Sequence, residues 1–368
     1  MKITNIKVEL CEWTSDAWTV GGALFGNTNK LGVVTVETDE GIEGHSFLGE
    51  SRKGAGAEHY VPGVIQNLKP LLMEKNPQDI GAIWESMWSL RKHTSSLAIG
   101  AMDICLWDIN GKITGQPIHR LLGTCKDFVP VYSSTAFHET TEGYVEEALR
   151  MQQSGLRAHK IHPHGSATED VEICKAVRDA VGEDMTLMLD SMWAYQYADA
   201  LRVGREIEDL NFYWYEDPLS QEDIYNYKKL NQKLDIPIMS TEFLPGQFYS
   251  MAEWITEYAT GLLRGDVAVT GGITPLVRLG HLAEAFNMQC EIHHGANSLN
   301  NVANLHVTMA IPNCEFFEFF PCIGSNMYGL VNDIEWDADG MVHAPTEPGL
   351  GYQIDWDLLR AGYIGTAE

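Results

Sequence analysis

Three short stretches decide the fold: TLMLD at 186–190, FYWYE at 212–216 and IPIMSTE at 236–242. Each is a mainly apolar run of strand length that ends on a carboxylate. The terminal residues Asp190, Glu216 and Glu242 follow one another at intervals of 26 residues. One strand, one helix and two short loops require about that many residues, so the pattern predicts successive β/α units.

The same pattern continues on both sides of these stretches. Amphipathic segments with helical spacing lie between the runs, for example at 142–154, 168–181 and 198–210. The other runs are 129–133, 158–162, 262–266, 289–293 and 315–318, and their last residues recur every 24 to 29 positions. Eight strands connected in this way predict a parallel α/β barrel.

A different pattern precedes the barrel. Residues 2–50 alternate apolar and polar side chains and predict a small antiparallel sheet, while 61–122 has helical spacing. We therefore expect an α+β domain over 1–125, the barrel over 126–325, and a tail over 326–368 that returns to the first domain. The glycine-containing stretch 15–30 lacks a period and is expected to be a mobile loop.

Composition excludes several classes of function. The 368 residues include 51 Asp and Glu against 25 Lys and Arg, a formal net charge of −26. Nucleic acids and anionic membranes attract clustered basic residues, so we expect neither as partner. No apolar stretch is long enough to span a membrane. Seven cysteines without a Cys-x-x-Cys pair favour reduced thiols and a cytoplasmic protein.

Carboxylates at the ends of neighbouring strands meet at one mouth of a barrel. Asp190, Glu216 and Glu242 would repel one another there unless a cation neutralised them. Because oxygen ligands suit Mg²⁺, and no Cys or His belongs to the trio, the pattern favours a magnesium site over a zinc site.

Basic groups occur at the ends of other strands. Lys160 and His162 are two residues apart, so both face the mouth and either is a candidate base or proton relay. Asp266 and His293 end adjacent strands and form a candidate general-base pair, in which the carboxylate orients the imidazole. Glu318, on the last strand, is a candidate proton carrier or substrate contact.

These motifs together resemble one known family. The segment AIGAMDICLWDINGKITGQP at 98–117 is similar to the helical signature of the mandelate racemase and muconate lactonizing branch of the enolase superfamily. The resemblance continues through Lys160-x-His162, Glu216-Asp-Pro218, and Asp266 with the glycine pair at 271–272, and it covers essentially the whole chain.

The resemblance implies a modified (β/α)₇β TIM barrel with an α+β capping domain and a homo-oligomer. It implies Mg²⁺ held by Asp190, Glu216 and Glu242, a base from Lys160 or His162, the pair His293 and Asp266, and Glu318 bound to the substrate carboxylate. The family usually has Lys-x-Lys on the second strand. Here His162 replaces the second lysine, which leaves the base on that strand open.

The chemistry implied is removal of the proton α to a carboxylate through an enediolate, with a small carboxylic acid as substrate. Dehydration of an acid sugar to a 2-keto-3-deoxy acid is the favoured outcome. Racemisation, epimerisation or cycloisomerisation is the alternative. A glycosidase would also use paired carboxylates, but it would leave Lys160, His162 and the pair of Asp266 and His293 without a role. A metal-stabilised binding protein would keep the carboxylates but would exchange no proton at a substrate α-carbon.

Substrate identity should depend on the first domain. The stretches 15–30 and 49–54 are predicted to reach the barrel mouth. Trp18, Asn27 and Asn29 are candidate contacts to substrate hydroxyls, and Arg52 or Lys53 is a candidate contact to a distal carboxylate.

Overall fold

The computed structural model describes residues 1–20, 23–49, 56–244, 248–320, 324 and 326–368, and for 17–20 and 23–26 the backbone alone. An antiparallel sheet opens the chain, with strands β1 (Ile3–Val20), β2 (Ala23–Thr38) and β3 (Glu43–Leu48). A strand from the far end of the chain (Tyr363–Ala367) pairs with β1 and completes the order of four. The tail therefore joins the sheet of the capping domain.

Short helices cover this sheet. They are Ala57–His59, Gly63–Leu68, Lys69–Leu72, Ile80–Trp88, Ser96–Thr114 and Ile118–Leu122. The longest begins where Ser95 Oγ accepts a hydrogen bond from the backbone N–H of Leu97, and it ends at Gly115, whose φ of 66° is left-handed. Its buried face packs closely on β3, where a Cβ added to Gly44 would lie 2.2 Å from the carbonyl oxygen of Cys105.

Eight parallel strands form the barrel. They are β4 (Phe128–Ser134), β5 (Ala158–Ile161), β6 (Thr186–Asp190), β7 (Tyr215–Glu216), β8 (Ile238–Ser240), β9 (Leu262–Gly265), β10 (Cys290–Ile292) and β11 (Phe317–Phe319). Each pairs with the next in order as far as β10, and β11 pairs with β4. This is the barrel with a cap that the sequence predicted.

Helices occupy the seven connections between these strands. They are Thr141–Gln153, Ala167–Val181, Tyr197–Asp209, Ile224–Asn231, Phe248–Thr256, Val267–Thr270 with Ile273–Ala285, and Ser298–Ala310. After β11 the tail forms β12 (Met341–His343), which pairs antiparallel with β4, then helix Trp356–Ala361 and β13, the strand Tyr363–Ala367. The arrangement is therefore (β/α)₇β.

The expected mobile loop at 15–30 was wrong for the residues that the structure describes. β1 and β2 continue through it as a hairpin, with Ser15 opposite Asn27 and Trp18 opposite Phe25. Glycines and consecutive apolar residues obscured the strand alternation there. Among the described helices, none combines the length and the apolar character needed to cross a bilayer.

The cap is held to the barrel at the turn that follows β9. The buried Asp103 accepts hydrogen bonds from the backbone N–H of Thr274 at 2.9 Å and from its hydroxyl at 2.7 Å. The Trp107 indole donates to the same hydroxyl at 3.0 Å. Gly272 has a φ of +118°, and a Cβ there would lie 2.3 Å from an Asp103 oxygen, so this junction requires glycine.

Candidate active site

One cavity opens at the carboxyl ends of the barrel strands. We call the predicted site residues that line it the polar floor: Lys160, His162, Asp190, Glu242, Asp266, His293 and Glu318. Beneath the floor the barrel is filled by a buried cluster of Tyr132, Ala158, Met188, Trp214, Met239 and Leu262. The cavity is thus closed below, as is usual for an α/β barrel with its site at the strand ends.

Lys160 lies at the centre of the floor and is 1% exposed. Its Nζ is 2.9 Å from Glu216 Oε2, 2.8 Å from Glu318 Oε1 and 3.4 Å from Asp190 Oδ2. Burial and Arg264 lower the pKa of Lys160, but Glu216 and Glu318 hold it well above the ordinary value. In this arrangement Lys160 is a cation that joins carboxylates from three strands.

Arg264 is a second buried cation, which the sequence reasoning missed. It is fully buried on β9, with Nε 2.6 Å from Glu216 Oε1 and 3.2 Å from Glu242 Oε2. Its Nη2 pairs with Glu318 and lies 3.2 Å from the Tyr132 hydroxyl. The signal was available, because side chains alternate along a strand and Arg264 therefore faces the same side as Asp266.

The two cations and burial act in opposite directions on the carboxylates. Burial raises the pKa of Asp190, but Lys160 and His162 hold it below its usual range. At Glu318 burial also raises the pKa, but Arg264 and Lys160 lower it more, and the pKa lies well below the ordinary value. At Glu216 burial prevails, and the pKa is raised despite the same two cations.

Strained backbone occurs beside each of the predicted metal ligands. The non-glycine residues Met192, Trp193, Asp217 and Thr241 have φ angles of 45°, 62°, 42° and 91°. Each lies within three residues of Asp190, Glu216 or Glu242. Such conformations cost about 1–3 kcal/mol each and occur mostly at functional sites. Asp217 also lines the cavity, and burial raises its pKa well above the usual value.

The predicted ligands suit Mg²⁺ by their chemistry. Asp190, Glu216 and Glu242 provide only carboxylate oxygens, from three adjacent strands. In the described part of the chain, no three His, Cys, Asp or Glu side chains are arranged as a cation's ligands. Lys160 and Arg264 engage Glu216 instead, so binding of a cation requires Glu216 to exchange one of these contacts. A divalent ion bound to these carboxylates would replace contacts that Lys160 and Arg264 make with them in this structure.

His293 and Asp266 form a hydrogen-bonded pair. His293 Nδ1 lies 2.8 Å from Asp266 Oδ2, and because a carboxylate only accepts, Nδ1 carries the proton. Nε2 is 3.4 Å from Glu242 Oε1 on the cavity side. Burial lowers the pKa of His293, but Glu242 and Asp266 raise it to about 9. The adjacent His294 is buried and its Nδ1 faces the carbonyl of Ile292, away from this pair.

His162 approaches the floor from the other side. Its Nε2 lies 2.9 Å from Asp190 Oδ2, and its Nδ1 lies 2.9 Å from the carbonyl oxygen of Thr135. The two candidate bases of the second strand therefore both contact Asp190. Which of them removes a proton stays a prediction.

The predicted substrate contacts fall elsewhere or outside the description. Asn29 is 2% exposed within β2 and its amide donates to Ser15 Oγ at 2.9 Å, so it does not line the cavity. Asn27 is exposed at the hairpin, also away from the described lining. The described residues exclude the side chain of Trp18 and the whole of Arg52 and Lys53.

Comparisons with known proteins identify two family domains. Residues 23–123 match the N-terminal domain of mandelate racemase / muconate lactonizing enzyme, and residues 143–358 match the enolase C-terminal domain-like family. Arabinonate dehydratase from Saccharolobus solfataricus is 28% identical over 92% of both chains. N-succinyl-L-Arg/Lys racemase from Bacillus cereus is 29% identical over 89% of both. The crystal structure of D-glucarate dehydratase from Agrobacterium tumefaciens complexed with magnesium has a TM-score of 0.89, 30% identity and 99% coverage of each chain.

Proposed function

Because the chain belongs to the mandelate racemase and muconate lactonizing branch of the enolase superfamily, we propose that it dehydrates an acid sugar to a 2-keto-3-deoxy acid. The reaction begins with Mg²⁺-dependent removal of the proton α to the substrate carboxylate. The observation that carries this proposal is the pair formed by His293 and Asp266, which faces Lys160 and His162 across one cavity. Two of its relatives, described above, are dehydratases of sugar acids.

Asp190, Glu216 and Glu242 are the residues that would hold the ion. Bound there, Mg²⁺ supplies a Lewis acid that polarises the substrate carboxylate and so makes the α-proton easier to remove. If His162 is the base, Lys160 stays charged and places a positive charge beside the carboxylate oxygens on which negative charge develops in the enediolate. Preorganised charge of this kind is the largest contribution in many enzymes, since it costs no reorganisation during the reaction.

Proton movements then follow from the two sides of the cavity. A base on the second strand, either His162 or Lys160 in its uncharged form, takes the C2 proton, and the electron pair of that bond forms the C2–C3 double bond. The 3-hydroxyl leaves as water after His293 Nε2–H protonates it. The resulting enol takes a proton at C3 and releases its hydroxyl proton, which gives the 2-keto acid. Asp266 keeps the His293 ring in the orientation that this transfer needs.

Epimerisation or racemisation is the second candidate. Basic groups on both sides of the floor could remove a proton from one face of C2 and return it to the other. The racemase among the relatives described above supports this alternative. The two reactions share the first step and differ in whether a 3-hydroxyl leaves.

A product screen separates them. The protein with Mg²⁺ is incubated with aldonic and aldaric acids, and products are identified by proton NMR and by reaction of keto acids with semicarbazide. A new 2-keto acid supports dehydration, and inversion at C2 without loss of water supports epimerisation. If no acid of any configuration forms a 2-keto acid or inverts at C2, the proposed function is contradicted.

A further inference from the structure

The wall of the cavity differs in chemistry from its floor. Most of the wall that the structure describes is apolar, and we call its six apolar or aromatic side chains the apolar collar: Met192, Trp193, Phe243, Val269, Ala296 and Phe320. Each lies one to three residues after a floor residue that stands at or within two residues of a strand end. Because the strands run toward the mouth, chain that follows their ends lies nearer the opening than the floor does. The collar therefore surrounds whatever extends from the floor toward the mouth.

Ring contacts connect the collar to the acid–base groups. Trp193 and Phe243 meet edge to face with centroids 5.8 Å apart. Phe243 lies 6.5 Å from the ring of His293, and Phe320 lies 6.2 Å from the ring of His162. The collar therefore begins next to the two histidine rings of the floor.

In the part of the wall that the structure describes, few polar groups could serve a hydroxylated substrate. Outside the floor, the described lining side chains with polar atoms are Trp193, Asp217 and Asn326. The Trp193 indole N–H is buried without a hydrogen-bond partner among the described atoms, so it could meet one hydroxyl at most. The Asn326 amide donates to the carbonyl of Gly295. Asp217 is 3% exposed and lies 3.4 Å from the hydroxyl of Tyr227. A buried hydroxyl without a partner is unfavourable, because it loses its hydrogen bonds to water.

We propose that the collar binds the part of the substrate beyond C3, and that this part is apolar. The substrate is then a 2,3-dihydroxy acid whose carbon chain from C4 onward carries alkyl, deoxygenated or aryl groups in place of hydroxyls. This inference rests on the proposed function, since it assumes that the carboxylate, C2 and C3 lie on the polar floor. It narrows the substrate from acid sugars in general to those with a hydrophobic end.

The test compares acids that differ only beyond C3. The stereoisomers of 2,3-dihydroxypentanoate are measured against the pentonates of the same C2 and C3 configuration, which add hydroxyls at C4 and C5. Apolar pockets discriminate by about 100-fold against an added hydroxyl. We expect kcat/KM to favour the dihydroxy acid by at least that factor. Equal values, or a preference for the pentonate, would overturn the inference.

A binding measurement keeps this result separate from the proposed function. 2-Hydroxypentanoate and 2,4,5-trihydroxypentanoate lack the 3-hydroxyl and cannot be dehydrated, and their affinities are measured by calorimetry with Mg²⁺ present. Tighter binding of 2-hydroxypentanoate supports the collar even if no acid turns over. If 2-hydroxypentanoate binds more tightly but no acid turns over, only the proposed dehydration is contradicted. If the two affinities are equal or reversed, the proposal that the collar binds an apolar group is overturned.

Two substitutions test the collar directly. Val269→Thr keeps the side-chain shape and adds a hydroxyl to a residue that is 8% exposed. Phe243→Tyr adds a hydroxyl on another side of the collar. Each should reduce the preference for the dihydroxypentanoate at least tenfold. The control is Val331→Thr, the same change at a residue 52% exposed and outside the cavity, which should leave the preference unchanged. An unchanged preference in both collar variants would contradict the proposal.

Discussion

Replacing Arg264 with methionine removes one of the two buried cations of the site. The methionine side chain fills much of the same space but leaves Glu216, Glu242 and Glu318 without the guanidinium. Arg264 is fully buried, so water cannot replace the lost contacts. Removing one partner of a buried ion pair costs about 3–5 kcal/mol, which corresponds to a change of about 150-fold to 4,000-fold in the unfolding equilibrium.

Magnesium should recover part of this loss. A ligand that binds only the folded state, at 100 times its dissociation constant, stabilises it by about 2.7 kcal/mol. In Arg264→Met the carboxylates lack a competing cation, so Mg²⁺ should stabilise the variant more than it stabilises the wild type. The free energy of unfolding is measured by urea titration, once in EDTA and once in saturating Mg²⁺.

A surface pair provides the control. Arg202 lies 3.0 Å from Asp199 and both are about half exposed, so Arg202→Met should cost only about 0–1 kcal/mol. If Arg264→Met also loses less than about 1 kcal/mol in EDTA, where removal of the buried partner is expected to cost about 3–5 kcal/mol, Arg264 does not stabilise the fold by neutralising the three buried carboxylates.

Three further outcomes are expected. Asp266→Asn should lower kcat/KM about 10³-fold to 10⁴-fold, because an amide N–H facing Nδ1 favours the wrong tautomer of His293. Steady-state rates with an acid that the enzyme turns over test this. A loss below tenfold would contradict the role of Asp266 in orienting His293. Burial raises the pKa of Asp103 to about 7 from 3.8. The folded state therefore binds the proton more tightly than the unfolded state does. As the pH rises between these two pKa values, the free energy of unfolding should fall by up to about 4 kcal/mol. Urea titrations from pH 4 to 8 should show that slope flattened in Asp103→Asn, which can still accept from Thr274, and an equal slope in both proteins would contradict it. Chelation with EDTA should abolish turnover and lower the melting temperature, and added Mg²⁺ should restore both; full activity after exhaustive chelation would exclude the metal.

Much of the barrel could be predicted because its repeat is local in the sequence. The run 186–190 coincides with β6, and the constant interval between strand ends requires only short-range patterns. Asp190 and Glu242 therefore line one cavity as expected. The strand boundaries differ from the predicted runs: β7 has only two residues, and Glu242 lies two residues beyond the end of β8. Strand ends depend on hydrogen bonds to neighbouring strands, which the sequence pattern does not specify.

Other features depend on distant parts of the chain. Arg264 was not singled out from the sequence, because its partners come from strands between 22 and 132 residues away. The pairing of β13 with β1 joins the two ends of the chain, and nothing in a five-residue segment identifies such a partner. The hairpin at 15–30 was missed because its pairing, rather than its composition, makes it a sheet.

The central claim is that this site removes a proton α to a carboxylate with the help of a divalent ion. The most direct test is deuterium incorporation at C2 in D₂O, followed by proton NMR on the acids that the product screen identifies. In the wild type with Mg²⁺ we expect loss of the C2 proton signal, or a keto acid carrying solvent deuterium at C3, and we expect neither after chelation. A C2 proton that is retained while product forms, or exchange that continues unchanged in EDTA, would contradict it.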